Sequence, residues 1–201
     1  MKKTNCLLLL ATIIFLILLL LIVLNTSDFI DVYSKNIPSF FTYPHVFSFF
    51  LVVTNIMSFT GIMIIFLLTI FLLRKKSAKR DIFIYLIAIT LGVSLNAIIK
   101  ILVGRSRPIS SYLEVTGYSF PSGHSLASMI VYGYLVLLIK KYYQGKREKL
   151  YITFLLLAIF LTGFSRIYFN VHYITDVLAG YSLGIIILCI SNYFLNHNIN
   201  K

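Results

Sequence analysis

Most of the chemistry this chain could perform is confined to three short stretches: Lys100 with Arg107-Pro108, Pro121-Ser122-Gly123-His124, and Ser165-Arg166 followed by His172 and Asp176. They hold cations, two imidazoles and a carboxylate, a set able to grip a phosphate, attack its phosphorus and release what is left. Arginine offers a planar fork for two phosphate oxygens, lysine a point charge. Ahead of an apolar run, Pro-Ser-Gly-His reads as a helix start with proline at its first position, where the missing N–H would be unpaired anyway. Backbone N–H groups and the positive end of the helix dipole would meet an anion there, with Gly123 allowing close approach and the Ser122 hydroxyl adding a donor. An ordinary cap followed by an interfacial histidine fits the same four residues as well. His172 and Asp176 are four apart and would share a helical face, so the carboxylate could hold one ring nitrogen while the other attacks. Taken alone, such a pair is more often a structural hydrogen bond between buried groups.

These residues need elements to carry them, and the composition says which. With 59% hydrophobic and 12% charged residues among 201 and a mean hydropathy of +0.93, the chain belongs to the integral membrane class. A helical span needs about 20 apolar residues, and six runs qualify: 7–24, 48–73, 82–101, 122–139, 150–165 and 173–195. The fold expected is all-α, a polytopic membrane bundle of six transmembrane helices forming a single domain over 1–201, with the chemistry in 96–180. The fifth run is short, carries Thr153, Thr162 and Gly163, and would begin slightly earlier. The first is longer than a signal-peptide core and lacks a small-residue cleavage site, so a retained helix is expected. Glycines within the runs suit close helix packing in lipid.

Lys and Arg collect in cytoplasmic loops. Lys2, Lys3, Arg74, Lys75, Lys76, Lys79, Arg80, Lys140, Lys141, Lys146, Arg147, Lys149 and Lys201 fall on one side of this arrangement, 13 of the 18 basic residues. Both termini are therefore expected in the cytoplasm and the three motifs at the extracytoplasmic face. Lys100 and Arg107 could merely snorkel to headgroups. Several cations gathered on the outer side nevertheless run against the topological bias, which points to a counter-anion. Residues 25–47, rich in aromatics with Pro38 and Pro44, suit the membrane interface or a substrate-entry lip. The net charge of +12 is split into clusters between apolar runs, which excludes nucleic acid as partner. Cys6 and Cys189 suggest neither a disulfide nor a zinc site. Asp28, Asp31, Asp81, Glu114, Glu148 and Asp176 are the only acidic residues, too scattered for a two-metal site, so no metal and no cofactor are expected.

Lys100 separated by six residues from Arg107-Pro108, intact Pro121-Ser122-Gly123-His124, and Ser165-Arg166 separated by five residues from His172, with three more before Asp176, resemble the tripartite signature of the type-2 phosphatidic acid phosphatase superfamily, whose bacterial membrane lipid phosphatases share the six-helix layout. The resemblance implies that His172 is a nucleophile forming a phosphohistidine, that Asp176 orients it, and that His124 protonates the leaving oxygen. Lys100, Arg107, Ser122, Gly123 and Arg166 would hold the phosphoryl oxygens. The two histidines would then take different protonation states, as acid and nucleophile must.

The expected protein is thus a metal-independent membrane phosphatase acting on a lipid phosphate or diphosphate at the outer leaflet. Undecaprenyl diphosphate is the leading substrate, with phosphatidylglycerophosphate or phosphatidate as the alternative; the partners are that lipid and the bilayer. A vanadium haloperoxidase has a similar anion site but is soluble, against six apolar spans. A non-catalytic lipid-phosphate binder or transporter would use the cations without needing both histidines.

Overall fold

The computed structural model describes residues 2–40, 43–56, 59–74, 79–109, 111–143 and 145–197. Among them all regular structure is helical: α1 (Lys2–Val23), α2 (Asp28–Phe40), α3 (Pro44–Ile56), α4 (Phe59–Arg74), α5 (Lys79–Val103), α6 (Gly123–Tyr142), α7 (Glu148–Tyr168) and α8 (Ile174–Asn196). α1, α5, α6, α7 and α8 are each long and apolar enough to cross a membrane, and α3 with α4, inclined at 48°, would supply a sixth span. In lipid only a helix satisfies its own backbone polar groups, so long apolar runs have one outcome.

One expectation needs correcting. The run read as one span over 48–73 is two helices, α3 and α4, starting earlier than expected; residues 57 and 58 lie outside the described residues. The segment 25–47 contains the amphipathic helix α2, whose Asp31 and Ser34 are buried. The fifth run extends in both directions into α7, which begins at Glu148. Lys75, Lys76 and Lys201, part of the charge bias, lie outside the described residues.

α8 is the central helix, packing on α1, α5 and α6, while α6 also packs on α7. Close approach of α6 and α8 depends on Gly180, where a Cβ would stand 2.6 Å from the Ser122 carbonyl oxygen. No side chain fits against backbone at that distance. At one end of the bundle, Tyr85 and Tyr134 stack at 4.4 Å. Beside them the buried Asp81 receives Lys141 Nζ at 2.8 Å and the Tyr142 hydroxyl at 2.5 Å. At the other end, buried Phe50, Tyr168, Phe169 and Val171 form an apolar cluster. This cluster seats the turn between α7 and α8, on which the chemistry depends.

Candidate active site

α7 ends in a Schellman turn. Asn170 takes positive φ (50°), its N–H donates to Ile167 O at 2.9 Å, and Val171 N–H donates to Arg166 O at 3.1 Å. This pairing closes a helix through a left-handed residue, and asparagine tolerates that conformation better than most. The turn buries Phe169 and Val171 completely and so delivers His172, itself 2% exposed, to the mouth of α8. His172 is not on a helix, contrary to the shared-face expectation, since α8 starts at Ile174. The pair with Asp176 forms because Asp176, in the first turn, reaches back: its Oδ2 accepts from Tyr173 N–H at 3.0 Å and lies 3.4 Å from His172 Nδ1. Only the carboxylate half of a capping box is made, for Tyr173 has no short side-chain acceptor to return.

At 3.4 Å the Nδ1 contact is long for a hydrogen bond, and Nδ1 has no other partner among the described residues. Such contacts in substrate-free sites commonly tighten in the reacting complex. The tautomer follows from the other nitrogen. Arg107 Nη1 lies 3.2 Å from His172 Nε2, and arginine can only donate, so Nε2 is the acceptor and the ring proton sits on Nδ1, facing Asp176. Burial pushes the His172 pKa down to about 4; Asp176 opposes this, and Arg107 and Arg166 reinforce it. The imidazole is therefore neutral at physiological pH, with its lone pair on Nε2.

Arg107 touches that lone pair, and Arg166 is close enough to act on the ring electrostatically. Arg107 follows α5, which ends where Gly104 (φ 63°) donates to Lys100 O at 3.0 Å, an αL closure that suits glycine. Its guanidinium spans the loop, donating also to Gly117 O at 2.9 Å, Val171 O at 2.8 Å and Thr116 O at 3.3 Å. Arg166, in the last turn of α7 and 4% exposed, donates to Thr54 Oγ1 of α3 at 2.6 Å, while its Nε has no partner among the described residues. A buried unpaired N–H on a cation near the His172 imidazole fits an anionic ligand. Lys100 Nζ donates to Tyr118 O at 2.5 Å and Ser119 O at 3.3 Å.

The second motif is joined to the third through the backbone: Ser122 N–H donates to Asp176 O at 3.0 Å. His124 and His172 therefore stand at the same end of the bundle. The helix begins later than expected, for Pro121 precedes the cap and Ser122 is the N-cap. The Ser122 hydroxyl, fully buried, accepts from Ser125 N–H at 3.4 Å and Ser125 Oγ–H at 2.9 Å. Only its own proton remains for a phosphate. At Gly123 a Cβ would meet Asn96 Oδ1 at 3.2 Å, and Asn96 Nδ2 donates to Pro121 O at 3.2 Å, so Asn96 joins α5 to the cap. Among the described residues, no three His, Cys, Asp or Glu side chains are grouped to hold a metal ion.

Residues 81–200, well over half the chain and including all three motifs, match the PAP2 superfamily. The chain belongs to this family. Phosphatidylglycerophosphatase B of Bacillus subtilis (strain 168) is 37% identical to this PAP2 chain over 97 residues, 46% of this chain and 47% of that protein. The alignment thus spans about half the length of that curated relative. The crystal structure of a transmembrane PAP2-type phosphatidylglycerolphosphate phosphatase from Bacillus subtilis matches over 100% of both chains, with a TM-score of 0.82 and 25% identity. The family named from the motifs and the helical membrane fold are the ones found.

Three positions beside the candidate site escaped the sequence reading. Thr54 anchors Arg166, Asn170 sets the turn before His172, and Asp31 pairs with Arg105 at 2.5 Å. Asparagine just past a helix end was a visible signal for the second; the other two had none.

Proposed function

We propose that this protein is a membrane lipid phosphatase working through a phosphohistidine. The supporting observation is the contact between Arg107 and His172 Nε2, which leaves the ring proton on the Asp176 side and the lone pair facing the Arg107 guanidinium. A phosphoryl group held by Arg107, Arg166 and Lys100 would present its phosphorus to Nε2. The N–P bond forms as the P–O bond to the lipid breaks, and His124 gives its proton to the departing oxygen. Water, deprotonated by His124, then cleaves the N–P bond, releasing phosphate and restoring both histidines. The cations stabilise charge on the equatorial oxygens. Ser122 and Gly123 would contribute at the head of α6.

A cleft of about 260 Å³ between α4, α5 and α6 runs from His124 and Asn96 past Val93, Ile89, Met63 and Phe66. Its polar end at the site and apolar length suit a lipid carrying its phosphate at one end; the volume is below the range of pockets that enclose whole ligands, about 300–1,000 Å³. A stretch of one chain would enter it, the rest remaining in the bilayer.

The substrate named for both relatives puts phosphatidylglycerophosphate ahead of undecaprenyl diphosphate as the first lipid to assay. The test is phosphate release by purified protein from both lipids and phosphatidate, with chelator present and with rapid quench to trap phosphate on histidine. Labelled His172 that turns over supports the reading. Release without labelling, or none from any lipid, overturns it. The charge bias supports an extracytoplasmic site with cytoplasmic termini. In intact cells, an impermeant maleimide should label Ser111→Cys and spare Gly145→Cys; the opposite pattern inverts the orientation.

A further inference from the structure

We propose that Arg105 and Asp31 are positioning residues for the reaction: the two arms of the Arg105 guanidinium hold Asp176 and Asp31 at once, aiming Asp176 at His172 and leaving the cluster one net negative charge. The proposal rests on His172 being the nucleophile.

Arg105 Nη1 donates to Asp176 Oδ1 at 2.6 Å and to Thr175 Oγ1 at 2.8 Å. Nη2 donates to Asp31 Oδ2 at 2.5 Å and to Ser27 Oγ at 3.0 Å. Asp31 is held in turn by Thr175, through N–H at 3.2 Å and the hydroxyl at 2.9 Å. Both carboxylates are fully buried, and the guanidinium carbon stacks 4.0 Å from the centre of the Tyr173 ring. With both terminal nitrogens occupied by carboxylates, Arg105 is not placed to grip a phosphate as Arg107 and Arg166 are. Its fork fixes Asp176 Oδ1 so that Oδ2 is the oxygen turned to His172 Nδ1.

The charge count shows why a second carboxylate is present. An Arg105–Asp176 pair alone would be neutral and would offer His172 little to stabilise the positive charge that builds on phosphorylation. A further buried carboxylate is costly, yet α2 supplies one, and the trio keeps its negative charge. Around His172 the other charged or titratable groups are Arg107, Arg166 of α7 and His124 of α6, with Lys100 of α5 near Asp176; the variants below leave all of these in place.

The test is steady-state phosphate release by the full-length protein in phosphatidylglycerophosphate mixed micelles, with His172→Ala as reference. Asp31→Asn keeps the shape and removes the charge. It should lower kcat about 10–100-fold, by analogy with the loss seen when the hydrogen-bond partner behind a metal-ligating histidine is removed, with KM little changed. It should also move the acid limb of kcat/KM to lower pH, since less negative charge favours neutral His172. Arg105→Lys keeps the charge count and loses the fork, so kcat should fall while the acid limb stays. Wild-type kcat in either variant overturns the proposal, as does a slower Asp31→Asn enzyme whose acid limb has not moved, which marks a merely structural tie. Should Asp31→Asn not fold, Arg105→Lys decides alone. An active His172→Ala would instead sink the nucleophile assignment beneath it.

Discussion

Replacing Asp176 by Asn is the sharpest probe of the mechanism, because it removes one charge and almost no volume. In the proposed mechanism, phosphoryl transfer to His172 would turn a neutral ring into a cation; its Nδ1 lies 3.4 Å from Asp176 Oδ2, both side chains being buried. At an effective dielectric constant of about 20, opposite unit charges at that separation attract by about 5 kcal/mol. The ground state, with a neutral ring, lacks most of this, so the loss falls on the barrier and lowers kcat by roughly 10³–10⁴. A second effect acts in the same direction. If the new amide donates to Nδ1, the ring proton moves to Nε2, the nitrogen that must attack; the same wrong-tautomer fault costs about 10⁴ in a serine-protease triad. The oxygen of Asn can still accept from Tyr173 N–H, so the start of α8 should survive. Phosphate release from lipid micelles would give kcat and KM separately, with thermal unfolding in the same detergent as the control for folding. A variant that unfolds normally and keeps more than about a tenth of kcat, against the loss expected from these charges, refutes the reasoning.

Other outcomes follow from the same geometry. Because burial holds the His172 pKa near 4, against about 6.5 in an unfolded chain, the unfolded state binds more protons between those values. Stability should therefore be intact above pH 6.5 and decline as pH falls toward 4, and His172→Gln should flatten that decline in pH-dependent melts; an equally steep decline would contradict it. Asn170→Val forces a β-branched residue into positive φ and should cost about 1–2 kcal/mol with a loss of kcat, whereas Asn170→Gly should be close to wild type, as unfolding and turnover can show. Gly180→Ala presses a methyl on the Ser122 carbonyl, an overpacking worth about 1–3 kcal/mol; a neutral effect would mean that α6 and α8 can part without disturbing the site.

Much of this protein is written locally and so could be read along the chain. Apolarity adds up over a run, and a run in lipid has only the helix available, which is why α1, α5, α6, α7 and α8 fall close to their expected positions. The candidate site residues could also be named from the chain, since the motifs place Lys100, Arg107, His124, Arg166, His172 and Asp176 beside helix ends. What tertiary structure decided is how they meet. His172 reaches Asp176 through a left-handed turn rather than a helical face, Ser122 caps α6, and Asn96 stands beside Gly123. Arg105 joins partners 71 and 74 residues away. An ion pair leaves no periodic trace in sequence, because any cation can meet any carboxylate that the fold brings within reach; only packing of α2 and α8 around the loop after α5 made these two the pair.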